Sequence, residues 1–249
     1  MRAGRLLTAR TAFALGTIWL LGGAVYTVGS VWNAPLSRLE ITGHEALTKV
    51  QVAAAAGLYP GIPVGGLDPL ATAERLMAHA RVKQASVRRM IPGALAIDLR
   101  ERRPAALAVL ADGSTAMLDR EGIVLEVGLS AVQAAASGLP TVKTAAAPAM
   151  RGARMEGAAL TEGLRLSERA RRLAPDAGRL IVDATDAFSV RVHLPERGRT
   201  VILPMESAEQ TLETYFAIEP VLERSVPGFR TADLRAAQRK GVGWVALRR

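Results

Sequence analysis

The sequence VKQASVRRMIPGALAIDLRERRP, residues 82–104, contains two strand-like runs separated by a tight turn. The runs cover residues 82–90 and 95–101, and Pro92-Gly93 between them is a typical turn pair. Apolar residues recur at alternate positions of the second run, which is the period of a half-buried strand. The residues predicted to face inward are Val87, Leu95, Ile97 and Leu99.

Two helices are predicted before this hairpin. Thr48 and Gln51 have the spacing of a capping box, which predicts a helix over residues 49–56. Asp68 and Pro69 are a favoured N-cap and first residue for a second helix. The predicted buried stripe of that helix is Leu70, Ala73, Met77 and Ala80. A short strand with Leu36, Leu39 and Ile41 precedes both helices, so the predicted order is strand, helix, helix, strand, strand.

Further towards the N-terminus, residues 12–32 read AFALGTIWLLGGAVYTVGSVW and carry no charged side chain. About 20 apolar residues suffice to cross a bilayer as a helix, so this segment is predicted to be a transmembrane helix. Three arginines and no acid precede it: Arg2, Arg5 and Arg10. The positive-inside rule therefore predicts a cytoplasmic tail at 1–11. The alternative is a cleaved signal peptide, whose apolar region is usually about 7 to 15 residues.

After the hairpin, the pattern predicts a β-rich second domain with two helices. One helix, 160–173, is basic and amphipathic, and the other follows the capping-box pair Ser207 and Gln210. Pro220 is predicted to kink or end the second helix. Residues 137–157, rich in Ala, Pro and Gly, are predicted to be a surface connection. The predicted strands cover residues 106–110, 115–118, 123–127, 180–182, 188–194, 200–203, 230–235 and 242–247.

Composition limits the possible partners. The chain has 32 Lys and Arg against 23 Asp and Glu, and no Cys, so no disulfide is expected. The basic residues are scattered and aromatic residues are few, which argues against nucleic-acid binding. The basic excess could favour anionic lipid or acidic partners, or it could only solvate strand faces. The helix predicted over residues 160–173 has a basic face, which could contact a membrane or could only be solvated: Arg165, Arg169, Arg171 and Arg172.

The sequence offers few groups for catalysis. The three histidines, His44, His79 and His193, are isolated from one another, without the close spacing of metal ligands. Gly61 and Gly66 have the gap of a phosphate loop, but the Lys and Ser/Thr that should follow are missing. Neither G-x-S-x-G nor S-x-x-K occurs. We therefore expect no catalytic residue, no cofactor and no metal.

The predicted order of strands and helices and several sequence segments resemble the POTRA domain of the bacterial cell-division FtsQ (DivIB) family. The matching segments in the first domain are Leu39-Glu40-Ile41-Thr42-Gly43, Pro60-Gly61, residues 82–89, Pro92-Gly93 and Glu101-Arg102-Arg103-Pro104. In the second domain they are residues 119–125, residues 216–222, Asp233-Leu234-Arg235 and Gly243-Trp244. The resemblance implies an α+β protein with a transmembrane helix at 12–32, a POTRA domain at 33–104 and a C-terminal β domain at 105–249.

The resemblance also implies a function. Such a protein is a non-enzymatic, single-pass scaffold of the inner membrane, with its bulk in the periplasm, that links early division proteins to septal peptidoglycan synthesis. FtsB and FtsL are the implied partners of its last strand through β-augmentation, and other division proteins bind the POTRA domain. The implied partner-binding residues are Arg235, Val242, Gly243, Trp244, Val245, Ala246 and Leu247. Ala236 stands where better-known members often have tyrosine, and Asp186 lies near where some carry a partner-contacting arginine.

Three alternatives remain open from the sequence. A POTRA scaffold for polypeptide transport or outer-membrane assembly would normally need a membrane barrel or a transport partner. A membrane-anchored wall hydrolase would need a catalytic cluster. For the last strand, Val242, Trp244 and Ala246 could simply cover the core, while alternate residues face the other side.

Overall fold

The computed structural model describes residues 3–90, 92–236 and 245–248, and these form two compact units, 1–101 and 102–249, which we describe separately. The first begins with a long helix, α1 (Ala3–Trp32). Its portion Ala14–Trp32 is long and apolar enough to cross a membrane and is not buried by the rest of the protein.

The remainder of the first unit has the predicted order of strand, two helices and two strands. Its elements are β1 (Arg38–Thr42), α2 (Lys49–Ala56), α3 (Pro69–Met77), β2 (Val82–Met90) and β3 (Ala94–Glu101), with a 3₁₀ turn at Val64–Gly66. The sheet order is β1-β3-β2, in which β3 pairs parallel with β1 and antiparallel with β2. Leu95, Ile97 and Leu99 are buried in the core as predicted, and Val87 packs against it.

Both predicted helix starts are confirmed. The Thr48 hydroxyl accepts a hydrogen bond from the Gln51 backbone N–H (3.3 Å), and the Gln51 side chain accepts one from the Thr48 N–H (2.8 Å). The Asp68 carboxylate accepts from the Leu70 N–H at 2.9 Å, with Pro69 as the first helical residue. These bonds satisfy backbone donors that a helix N-terminus would otherwise leave free.

The predicted buried stripe of α3 is wrong at two positions. Leu70 and Met77 are 68% and 43% exposed. The buried residues of this segment are Thr72, Ala73, Leu76 and Ala80. Leu70 lies in the first turn, and the packing of α3 against β2 rotates the contact face towards Leu76, so Ala73 and Ala80 alone of the predicted set are buried.

The second unit is built on one nine-stranded mixed sheet of order β12-β11-β10-β9-β8-β7-β4-β5-β6. The strands are β4 (Pro104–Val109), β5 (Thr115–Asp119), β6 (Val124–Val127), β7 (Thr141–Thr144), β8 (Ile181–Ala184), β9 (Ser189–Leu194), β10 (Arg199–Pro204), β11 (Thr231–Asp233) and β12 (Ala246–Arg248). The pairs β10–β11, β7–β8 and β4–β7 are parallel and the others antiparallel.

Two helices pack against this sheet and against each other, α5 (Ala158–Leu173) and α6 (Ala208–Ser225). Leu160 and Leu166 of α5, together with Leu212 and Tyr215 of α6, are buried in the same core as the central strands. A third, short helix, α4 (Ala131–Ala136), was not predicted; it has a capping box between Ser130 and Gln133.

The interpretation of residues 137–157 as a surface connection is wrong in part. Thr141–Thr144 forms β7, which lies inside the sheet between β4 and β8. Val142 is completely buried against α5. A strand of four residues among Ala, Pro and Gly gives too short a pattern to recognise, and its partners are remote in sequence.

For α6, the predicted capping box is wrong, and of the two outcomes predicted for Pro220 the structure contradicts the end of the helix. Ser207 makes no side-chain capping bond, because the chain enters α6 through a 3₁₀ turn, Met205–Ser207, in which Ser207 is not extended (φ −138°, ψ 28°). Pro220 does not end the helix, which continues to Ser225. Leu222 and Val226, beyond the proline, pack against the core, and this contact offsets the missing hydrogen bond.

Candidate functional site

The strand β12 lies at one end of the nine-stranded sheet. It pairs antiparallel with β11, so that Thr231 lies opposite Arg248, Ala232 opposite Leu247 and Asp233 opposite Ala246. β11 in turn pairs with β10. Because β12 is the last strand in the order formed by the described residues, one side of its backbone pairs with no other strand among them, as a strand-accepting edge requires.

The side chains of β12 alternate between the core and solvent. Val245 and Leu247 are half-buried and pack against the core of the second unit, whereas Ala246 and Arg248 are exposed. This corrects the interpretation in which Ala246 covers the core, since the strand has the opposite phase. The predicted site residues Val242, Gly243 and Trp244 lie outside the described residues.

Arg235 holds the turn that follows β11. Its Nε donates to Asp233 Oδ1 at 3.0 Å and its Nη2 donates to Oδ2 at 2.6 Å. These bonds from Arg235 lower the pKa of Asp233, and the carboxylate raises the pKa of Arg235. A guanidinium has five N–H donors, so the half-exposed Arg235 still has donors for a partner.

The turn between β8 and β9 carries an exposed aromatic side chain that the sequence analysis did not select. Phe188 is 85% exposed. The Asp186 carboxylate accepts from the Phe188 N–H (2.9 Å) and from the Ser189 hydroxyl (2.8 Å). The bond from Phe188 is the main reason that the pKa of Asp186 is lowered, and the charge of Arg235 contributes.

Pairing places Phe188 and Arg235 at the same end of the sheet. Ser189, next to Phe188, pairs with Pro204 at the end of β10, and the Leu234 N–H donates to Ile202 of β10 at 2.9 Å. The site therefore consists of the β12 edge, the ion pair of Arg235 and the Phe188 turn. The signal for this residue in the sequence is an aromatic side chain directly after the turn residues Asp186-Ala187, at the position predicted to begin the strand 188–194.

A strand edge flanked by an exposed aromatic and an exposed ion pair is an arrangement suited to pairing with another strand. Among the residues that the structure describes, no three His, Cys, Asp or Glu side chains lie close enough together to hold a metal ion. The bonds at the site hold turns, and its carboxylates at Asp186 and Asp233 have lowered pKa values, so they stay ionised at neutral pH.

Several known proteins resemble this chain in sequence. A family model described as POTRA domain, FtsQ-type, matches residues 34–102. The chain is 30% identical over 210 residues to the cell division protein FtsQ of Streptomyces bingchenggensis, covering 81% of this chain and 72% of that protein. The chain belongs to the FtsQ family of cell division proteins. The predicted POTRA fold and FtsQ resemblance are thereby confirmed.

Other FtsQ proteins match over shorter regions. The FtsQ of Mycolicibacterium smegmatis is 33% identical over 90 residues, and that of Salinibacter ruber is 34% identical over 103 residues. These matches cover 36% and 40% of this chain. They span only 27% and 40% of the length of the two relatives.

Proposed function

We propose that this FtsQ-family chain is a non-enzymatic scaffold that links early division proteins to septal peptidoglycan synthesis. Its C-terminal edge strand binds FtsB, in complex with FtsL, and its POTRA domain contacts other division proteins. Membership in the FtsQ family supports the role in division. The position of β12 at the end of the sheet order is the observation that supports edge-strand binding. We keep the predicted domain limits, 33–104 and 105–249, as part of this proposal.

In the proposed complex, a strand of the partner adds to β12 by backbone hydrogen bonds. Main-chain bonds give affinity in such pairings, and alternate side chains give selectivity. Ala246 is small and exposed, so it leaves room for a partner side chain on that face. Phe188 and the Asp233–Arg235 pair, at the end of the sheet where the chain leaves β11, supply an apolar contact and charged donors.

The proposed location is the inner membrane at the septum, with residues 1–11 in the cytoplasm and the bulk in the periplasm. The long apolar helix α1 supports a single membrane crossing. The three arginines before its apolar segment support the orientation.

Binding to the exported segments of FtsB and FtsL tests the partner. The full-length protein is placed in nanodiscs, and its affinity is compared with that of a variant lacking residues 242–247. We expect the shortened variant to lose binding while its circular dichroism shows that the rest of the fold is retained, although its unfolding transition should fall because the core contacts of Val245 and Leu247 are lost. Failure of the intact protein to bind, or undiminished binding by the shortened variant, would contradict edge-strand recognition.

A point substitution gives a test that does not remove backbone. Phe188→Ser should weaken binding by about fivefold or more, because exposed aromatic side chains often become central contacts of an interface. Val132→Ser is the matched control, since Val132 is 78% exposed but lies in α4. Equal affinities of the two variants would remove Phe188 from the site.

A further inference from the structure

A cleft of about 810 Å³ lies in the second unit, away from β12. Its walls are the start of β4, the turn between β5 and β6, the segment before α5, and one face of α5. Because β5 and β6 end the sheet order opposite β12, the cleft and the candidate edge lie at different ends of the strand order. A ligand in the cleft would therefore be separate from a strand added to β12.

Charged side chains line the cleft with an excess of positive charge. Five are arginines and three are glutamates: Arg120, Arg154, Arg165, Arg171, Arg172, Glu121, Glu156 and Glu168. Two of the three glutamates already have cationic partners. Glu168 accepts a hydrogen bond from Arg172 and lies 3.2 Å from Arg120. Glu121 forms an ion pair with Arg102 at 2.8 Å.

Three of the arginines are available to a ligand. Arg154, Arg165 and Arg171 are all exposed. Within residues 3–90, 92–236 and 245–248, the guanidinium groups of Arg154 and Arg171 form no hydrogen bond or ion pair. Arg165 has Glu162, three residues before it on α5, as an electrostatic neighbour. The cleft thus presents cations that the described part of the chain leaves largely uncompensated.

The remaining lining favours a polypeptide over a continuous polyanion. The carboxylate of Glu156 on the same lining would repel a dense phosphate polymer, whereas a peptide can present carboxylates to the arginines and an N–H group to Glu156. Met155 and Leu164 add apolar surface to the lining of the cleft, and each is 8% exposed. Guanidinium groups bind carboxylates through paired hydrogen bonds, which gives direction as well as attraction.

We propose that this cleft binds an acidic protein segment, with carboxylates of the segment paired to Arg154, Arg165 and Arg171. The segment would belong to a partner protein and would bind independently of the β12 edge. Such contacts between exposed charges are weak individually and are screened by salt, so the interaction should be dynamic and sensitive to ionic strength.

The test uses the full-length protein in phosphatidylcholine nanodiscs and a fluorescein-labelled peptide with six Glu-Ala repeats. Fluorescence anisotropy gives the affinity of the unmodified protein and of R154Q/R171Q. We expect the variant to bind about fivefold more weakly, the size expected for the loss of two solvent-exposed charge pairs. R179Q/R224Q is the control, because it loses the same charge at exposed arginines outside the cleft and should stay within about twofold of the unmodified protein.

Several results would overturn the proposal. Equal weakening in both double variants would mean that net charge alone attracts the peptide. No measurable peptide binding would exclude the cleft as a peptide site. Vesicles containing phosphatidylglycerol are a third arm, and loss of vesicle binding in R154Q/R171Q without any peptide binding would assign the arginines to a lipid surface. Removal of residues 242–247 should leave peptide binding unchanged, so this proposal can fail or succeed separately from the edge-strand proposal.

Discussion

At the scale of single residues, Glu101 does more than its position at the end of β3 suggests. Its carboxylate accepts hydrogen bonds from the backbone N–H groups of Glu45, Ala46 and Leu47, at 2.8, 2.9 and 3.0 Å. Burial alone would raise the pKa of Glu101, but these three bonds outweigh it and lower the pKa. Glu101 therefore ties the loop before α2 to the last strand of the first unit.

Glu101→Gln should destabilise the protein by about 1–2 kcal/mol at pH 7, because charge-assisted bonds to a carboxylate are weakened. A lowered pKa in the folded state stabilises the protein above the ordinary carboxyl pKa, and this contribution is lost as the pH falls through the lowered pKa. The difference between the two proteins should therefore shrink in acid. Denaturant unfolding of the first unit over a pH series measures it.

The control is Glu74→Gln, since Glu74 is exposed on α3 and its substitution should change the unfolding free energy little at any pH. A pH-independent difference for Glu101→Gln would show that its carboxylate charge does not stabilise the loop.

Some residue-scale features could be read from the sequence and others could not. Gly43 ends the segment 39–43 that resembles the FtsQ family. It has φ +75°, and a Cβ there would lie only 1.9 Å from the Leu99 carbonyl oxygen. A glycine in a turn is a local signal, so the sequence alone indicates the turn at Gly43. The acceptor role of Glu101 depends on a loop more than fifty residues away, and no local pattern predicts it.

At the scale of elements, α5 contacts β7 through a glycine. Gly163 is buried, and a Cβ at this position would lie 2.6 Å from Cγ1 of the fully buried Val142. Alanine normally stabilises a helix interior by about 1 kcal/mol relative to glycine. Here the overpacking cost, roughly 1–3 kcal/mol, should exceed that gain.

Gly163→Ala should therefore lower the free energy of unfolding by roughly 1 kcal/mol. Val142→Ala removes the methyl group that Cβ would strike, so the double variant should be more stable than the sum of the two single effects by about 1 kcal/mol. Denaturant titration of all four proteins measures this coupling. Additivity within about 0.5 kcal/mol would mean that α5 and β7 accommodate the extra methyl group without strain.

Helix starts were predicted correctly from the sequence, whereas the strand β7 was missed. The helices α2 and α3 begin with capping residues, Thr48 and Asp68, which are local signals and gave their starts correctly. β7 has only four residues, and its partners β4 and β8 lie about thirty to forty residues away on either side. The core position of Val142 follows from that long-range pairing and not from any periodicity of its own.

At the scale of the whole molecule, the sequence indicated the last strand as a site, and the structure supplies its surroundings. Family resemblance selected the C-terminal strand and Arg235. Two features depend on how strands distant in sequence pair: β12 lies at the end of a nine-stranded order, and the exposed Phe188 lies at the same end of the sheet as Arg235. For that reason Phe188 could be recognised only once the β9–β10 register was known.

The orientation of the chain across the membrane gives the last prediction. The sequence contains no cysteine, so a single introduced cysteine reports its own location without background. Gly4→Cys lies before the apolar segment, and Val132→Cys lies at an exposed position of the second unit. If the arginines at the N-terminus hold the tail inside, a membrane-impermeant maleimide applied to cells with a permeabilised outer membrane should label only Val132→Cys.

Lysis should then make Gly4→Cys reactive as well, which controls for its chemical accessibility. Labelling of Gly4→Cys before lysis would reverse the proposed orientation and would place the β12 edge and the arginine-lined cleft in the cytoplasm. A signal peptide would give a third pattern, because cleavage would separate residue 4 from the labelled protein and release Val132→Cys from the membrane fraction. The two cysteine variants therefore distinguish all three arrangements that the N-terminal sequence allows.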